Sequence, residues 1–163
     1  MVNHNSLWLG FFSILLLAIF SCENNNIVLE EEIQFNSGSW PVGEVLNAYW
    51  EIEDLEAVYR WSISVDHSDQ FKYQNLYLLV KSQMPGNKSQ EKEISLQLAN
   101  PNTGVWLGKG SASNIIQKIV IQDSIKFENT GEYQFNIEQY SRDSTLQGIN
   151  SISILLERLP SKK

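Results

Sequence analysis

VYRWSISVD, residues 58–66, puts Tyr59, Trp61, Ile63 and Val65 on one side of an extended chain and Arg60, Ser62, Ser64 and Asp66 on the other. Successive side chains of a strand point to opposite faces, so a period of two with one apolar side describes a half-buried strand. The same alternation recurs on both sides of this stretch. In LNAYWEI (46–52), Leu46, Ala48, Trp50 and Ile52 share a face. NLYLLVKS (75–82) is apolar on both sides, as expected of a central strand. Ile94, Leu96 and Leu98 alternate just before NPNTG (100–104), a strong turn signal. KIVIQDSIKF (118–127) is β-branched and reads as extended, although IIQKIV (115–120) alone could form a helical turn. EYQFNIEQY (132–140) and SISILLER (151–158) complete the series, and no segment shows a sustained helical period.

About eight strands at intervals of roughly ten residues, separated by turns rich in Gly, Asn, Pro and Ser, predict an all-β antiparallel β-sandwich, immunoglobulin-like or jelly-roll-like. Within ENTGEYQFNI (128–137), Gly131 stands two residues before Tyr133 at a strand start. That placement predicts a tyrosine corner, with the hydroxyl tied to backbone.

The chain has 163 residues, 42% hydrophobic and 19% charged, enough to bury a core without disulfide or metal staples. Its formal net charge of −7 repels phosphate backbones and argues against nucleic-acid binding. Residues 1–21 carry no Asp, Glu, Lys or Arg, and LWLGFFSILLLAIF (7–20) is a short apolar run. A membrane span needs about 20 such residues, so this length suits the apolar region of a signal peptide. The single cysteine follows at once in IFSC (19–22), where Ile19, Ser21 and Cys22 match a bacterial lipobox. We expect a signal peptide over 1–21, lipidation of Cys22, a lipidated tether over 22–39 and a sandwich domain over 40–163. Lipid chains bury about 0.8 kcal/mol per CH2, so the membrane would be held through the anchor. With Cys22 acylated, the folded part has no thiol for a disulfide, a zinc site or nucleophilic catalysis.

PNTGVWLGKGS (101–111) approaches a phosphate-binding loop but misses its spacing: three residues separate Gly104 from Gly108, and Gly110 intervenes between Lys109 and Ser111. With no strand–helix unit around it, a nucleotide is not expected. The alternative is a turn, then a short extended piece carrying Trp106 and Leu107, then a break at Gly108 in a conformation closed to other residues. Trp106 either caps the core or joins a contact surface, making Trp106, Leu107 and Gly108 a candidate interaction loop.

Catalytic constellations are missing. His4 leaves with the signal, and His67 in VDHSDQ (65–70) reads as part of a polar loop between Asp66 and Asp69. There is no GxSxG, no HExxH and no DxDxDG frame, so no catalytic residue, cofactor or metal is expected. NKS (87–89) fits a glycosylation sequon without consequence in a bacterial lipoprotein. Four tryptophans remain in the mature chain, Trp40, Trp50, Trp61 and Trp106; exposed in a row they could stack on sugar rings, but Trp50 and Trp61 lie on apolar faces.

FKYQNLYLLV (71–80) with Pro85-Gly86, ANPNTGVWLG (99–108), FENTGEYQFNIEQ (127–139) and LQGINSISILLE (146–157) resemble, in this order, the gliding motility lipoprotein GldH family. The length and the early lipobox fit it too. The resemblance implies a non-enzymatic envelope lipoprotein, placed at the outer membrane or facing the periplasm. It implies partners among other gliding or secretion lipoproteins, and Cys22 as the lipid attachment site. The competing expectation is a carbohydrate-binding surface module, which an exposed aromatic platform would favour.

Overall fold

The computed structural model describes residues 26–86 and 88–160. It contains eleven strands: β1 Ile27–Gln34, β2 Ser39–Pro41, β3 Leu46–Ile52, β4 Tyr59–His67, β5 Asn75–Met84, β6 Lys88–Gln97, β7 Lys109–Ser111, β8 Asn114–Ile125, β9 Gly131–Gln139, β10 Thr145–Gln147 and β11 Ile149–Arg158. Only a three-residue 3-10 turn, Asn36–Gly38, interrupts them among the described residues. A five-stranded sheet runs β1-β11-β4-β8-β7, a four-stranded sheet runs β3-β9-β5-β6, and β2 pairs with β10. Every ladder is antiparallel. The expected sandwich is present, with more strands than alternation alone revealed.

The inward set read from VYRWSISVD holds: Tyr59, Trp61, Ile63 and Val65 are buried. They meet Leu76, Leu78, Val80 and Ile137 of the facing sheet in one core. Fully burying each such side chain contributes about 1.5–3 kcal/mol. β5 is central, between β9 and β6, yet only one of its faces is covered. Leu78 is buried while Tyr77 is half exposed, so the two-sided apolar pattern does not mean two-sided packing here. IIQKIV lies inside β8 and is extended, because β4 supplies its ladder partners from Ile115 to Val120.

The tether is corrected. Residues 27–34 form edge strand β1, paired with β11, and residues 39–41 form β2. Leu29 and Phe35 are buried, and Phe35 stacks on Trp40 at 4.6 Å. An edge strand needs few inward apolar groups, and Glu30, Glu31 and Glu32 on an open edge discourage pairing with other chains. Those charges mask the strand in the sequence. The folded domain therefore begins near residue 27 rather than 40.

The corner is confirmed: the Tyr133 hydroxyl donates to the Asn129 carbonyl at 3.1 Å, and the ring is buried. Gly131 ahead of it has φ +121°. Asn129 is exposed and can turn to water when the hydroxyl is lost. Tyr133→Phe is therefore expected to cost about 1 kcal/mol in a urea melt. No measurable loss would show that the bond contributes nothing.

Candidate functional site

The segment 98–111 lies where β4 ends. Leu98 is buried and its N–H donates to the Gln74 carbonyl at 2.8 Å, closing the end of the β5–β6 ribbon. The Asn100 side-chain oxygen then accepts from the N–H groups of Asn102 (2.9 Å) and Thr103 (3.2 Å), the local bonding that makes Asn a turn former. Gly104, at φ +71°, completes the turn with its N–H on the Asn100 carbonyl at 2.8 Å. The chain returns antiparallel: Asn100 N–H donates to Val105 O at 2.8 Å and Leu107 N–H to Leu98 O at 2.9 Å. These two cross-links between the arms, with the closed turn at their end, make a small hairpin.

Period two then sorts its side chains. Val105 and Leu107 point outward, 64% and 48% exposed. Trp106 between them is half-buried against the core and meets the His67 ring edge-to-face at 4.6 Å. Of the two roles open to Trp106, core capping is the one observed, and Leu107 with Val105 supplies the exposed apolar surface. Gly108 does not have positive φ; Gly104 and Gly110 do. What Gly108 provides is room: a Cβ there would lie 2.7 Å from Ile115 Cγ2 and 2.9 Å from the Ile116 carbonyl oxygen. The glycine is required by the close approach of β8.

His67 is not in a polar loop. It ends β4, is 0% exposed and packs between Phe71 and Trp106. The signal was available, since His67 continues the inward series Tyr59, Trp61, Ile63, Val65 by one more step of two. Its Nδ1 donates to the Ser68 carbonyl at 3.0 Å, which leaves Nε2 as an unprotonated acceptor with no partner among the described residues. Asp66 faces away and accepts from Asn114 (3.0 Å) and Asn150 (2.9 Å). Among the described residues no hydrogen bond links His67 to a carboxylate. Among the described residues, no three His, Cys, Asp or Glu side chains converge as metal ligands.

Burial lowers the pKa of His67, opposed by its bond to the Ser68 carbonyl and by the Asp66 charge. The unfolded chain, with an ordinary histidine pKa of about 6.5, takes the proton more readily than the native state. Stability is therefore full above that value and declines as pH falls below it, until the native pKa is passed. The urea midpoint is expected to drop between pH 7.5 and pH 5, and His67→Gln should flatten part of that slope. An unchanged slope in the variant would assign it to carboxylates.

Trp40 is fully buried, Trp61 nearly so, and Trp50 and Trp106 pack against the core. Among the described residues no row of tryptophans stands on the surface. Cys22 lies outside the described residues, as does Asn87 of the sequon. No described helix is long and apolar enough to cross a membrane.

The family model described as GldH lipoprotein matches residues 27–156. The chain is 24% identical over 160 residues to the gliding motility lipoprotein GldH homolog of Christiangramia forsetii, covering 94% of this chain and 95% of that protein. It is also 24% identical over 155 residues to the gliding motility lipoprotein GldH of Flavobacterium johnsoniae, covering 89% and 94%. Among solved structures, CBM35 from Cellvibrio japonicus Abf62 aligns with a TM-score of 0.36 at 12% identity, covering 87% of this chain and 96% of that one. The xylan-binding module CBM15 aligns with a TM-score of 0.31 at 15% identity, covering 82% and 93%. Likeness at that level says nothing of a ligand. The match of 27–156 spans the whole sandwich from β1 into β11, and on it the chain belongs to the GldH lipoprotein family.

Proposed function

We propose that this chain is a non-catalytic component of the gliding motility apparatus and its associated protein-secretion machinery, held at the outer membrane by lipid on Cys22 and docking other lipoproteins through the 101–110 hairpin. One observation carries the docking reading. The first residues of β1 pair with the last of β11, beside the start of β4, whereas the Val105–Leu107 tip sits where β4 ends. At about 3.3 Å per residue, the nine residues of β4 separate the anchored end from the exposed apolar tip by roughly 25 Å. An apolar pair held on a hairpin away from the membrane is placed to meet a partner. The names of the two GldH relatives support the motility role.

The test is a gliding host without its own copy, supplied with Val105→Asp plus Leu107→Asp. Both side chains are exposed, so the domain should fold. We expect about a tenfold or greater fall in co-purifying gliding lipoproteins, and loss of colony spreading. Normal spreading with intact complexes would remove the hairpin from the docking surface. Cys22→Ser should shift the protein out of the membrane fraction; retention would show that residues 7–20 anchor it directly.

A further inference from the structure

At the anchored end the two sheets part, and a cleft of about 410 Å3 opens between them. Its floor is apolar and comes from both sheets: Leu29, Trp61 and Leu156 from one, Val80 and Phe135 from the other, with Phe127 from the loop between β8 and β9. The facing strand β8 leaves Ile121 and Ile125 only half covered. That volume lies within the usual range for small-molecule sites, about 300–1,000 Å3.

The β5–β6 ribbon forms one wall, and its register is unbroken. Leu76 pairs with Leu96 and Leu78 with Ile94, all buried. Two residues further the inner pairs become Val80 with Lys92, Ser82 with Gln90 and Met84 with Lys88, and all six line the cleft. Exposed lysines on an edge strand can serve merely to deter pairing. Here, however, charge is sorted by face: Lys88 and Lys92 fall on the inner side, while Glu91 and Glu93 take the outer positions. Among the described residues neither Lys88 nor Lys92 makes an ion pair. Lys126 also lines the cleft but is paired with Glu56 at 3.5 Å, and Glu128 is the one carboxylate there. In a chain of net charge −7, an apolar slot with two uncommitted ammonium groups is complementary to a narrow class of ligand.

We propose that this cleft binds a long-chain fatty carboxylate, the alkyl chain lying between the sheets and the carboxylate meeting Lys88 and Lys92. Lysine suits such a mouth because its apolar stem lies along the chain while its ammonium stays in water. Location agrees. Ile27, the first residue of β1, opens the strand that supplies Leu29, and Cys22 precedes it by five residues, a reach of at most about 18 Å of extended chain. If Cys22 is lipidated as proposed above, the cleft sits close to the membrane surface, where acyl ligands partition.

The test uses the full lipidated chain in phosphatidylcholine nanodiscs and hexadecanoate carrying a terminal photoreactive diazirine. Peptide mapping should place the adducts on cleft-lining residues such as Trp61, Val80 and Phe135. Excess hexadecanoate should suppress labelling, and uncharged hexadecanol should not. Lys88→Glu with Lys92→Glu is expected to lower labelling about tenfold while leaving circular dichroism unchanged, since both side chains are exposed. Ser82→Trp should block the slot. Adducts confined to other surfaces, equal competition by the alcohol, or undiminished labelling of the lysine variant would each overturn the proposal. Labelling is read independently of the hairpin, so loss of docking in the Val105/Leu107 variant leaves this result untouched.

Discussion

Trp40→Ala is expected to destabilise the domain by about 3–5 kcal/mol, the range for truncating a buried Trp or Phe. Trp40 is 0% exposed, lies stacked on Phe35 with an interplanar angle of 17°, and donates its indole N–H to the Glu44 carbonyl at 2.8 Å. Alanine removes the stacking partner, opens a cavity beneath β2 and leaves the Glu44 carbonyl without its donor. Marginal stability makes such a loss a large fraction of the total. Trp40→Phe separates the terms: it keeps much of the packing, forfeits the hydrogen bond, and should cost about 1–2 kcal/mol. A urea melt with unchanged m-value measures both. An alanine loss below 1 kcal/mol would show that residues 35–44 are not part of the cooperative unit.

Gly148→Ala should be comparably severe, at about 2–6 kcal/mol. Gly148 joins β10 to β11 with φ +86°, a conformation that costs other residues about 1–3 kcal/mol. A Cβ there would also lie 2.4 Å from Phe71 N and 2.8 Å from Phe71 Cα. These are backbone atoms, so relief requires moving the 68–71 loop, held by the Ser68 N–H to Gly148 O bond at 2.8 Å. Such overpacking adds about 1–3 kcal/mol. Gly104→Ala is the control. Gly104 also has positive φ, but nothing lies within 4 Å of its Cβ position, so only the conformational part applies, about 1–3 kcal/mol. Equal losses at the two positions would show that the Phe71 contact is soft.

Reading the sequence succeeded where one face of a strand carries the core. Alternation locates β3, β4, β6, β9 and β11, continuous apolar or β-branched runs locate β5 and β8, and Gly131 before Tyr133 announces the corner. It failed on β1, where Leu29 and Ile33 are the only inward apolar side chains to pack on the core and three glutamates dominate. The three-residue strands β2, β7 and β10 are too short to show any period. At the hairpin, sequence alone named Trp106 and Leu107 but could not assign their sides. The Ala99–Trp106 bridge turns the larger residue inward.

The lipobox pattern ending at Cys22, the family blocks and the inward faces of β3, β4, β6, β9 and β11 are properties of local order, so the sequence determined them by itself. Three features were left to tertiary structure. The inward series reaches His67, but its complete burial follows from Trp106, distant in the chain, which closes over the end of β4 together with the nearby Phe71. Gly108 and Gly148 are required because other segments of backbone come near, a constraint that carries no local signature. The lysine-rimmed cleft exists because the β5–β6 ribbon and β8 belong to different sheets that part at one end, leaving inward positions uncovered. Periodicity shows which face of a strand turns inward. How closely another sheet covers that face is a sum of long-range contacts, and only the folded chain decides it.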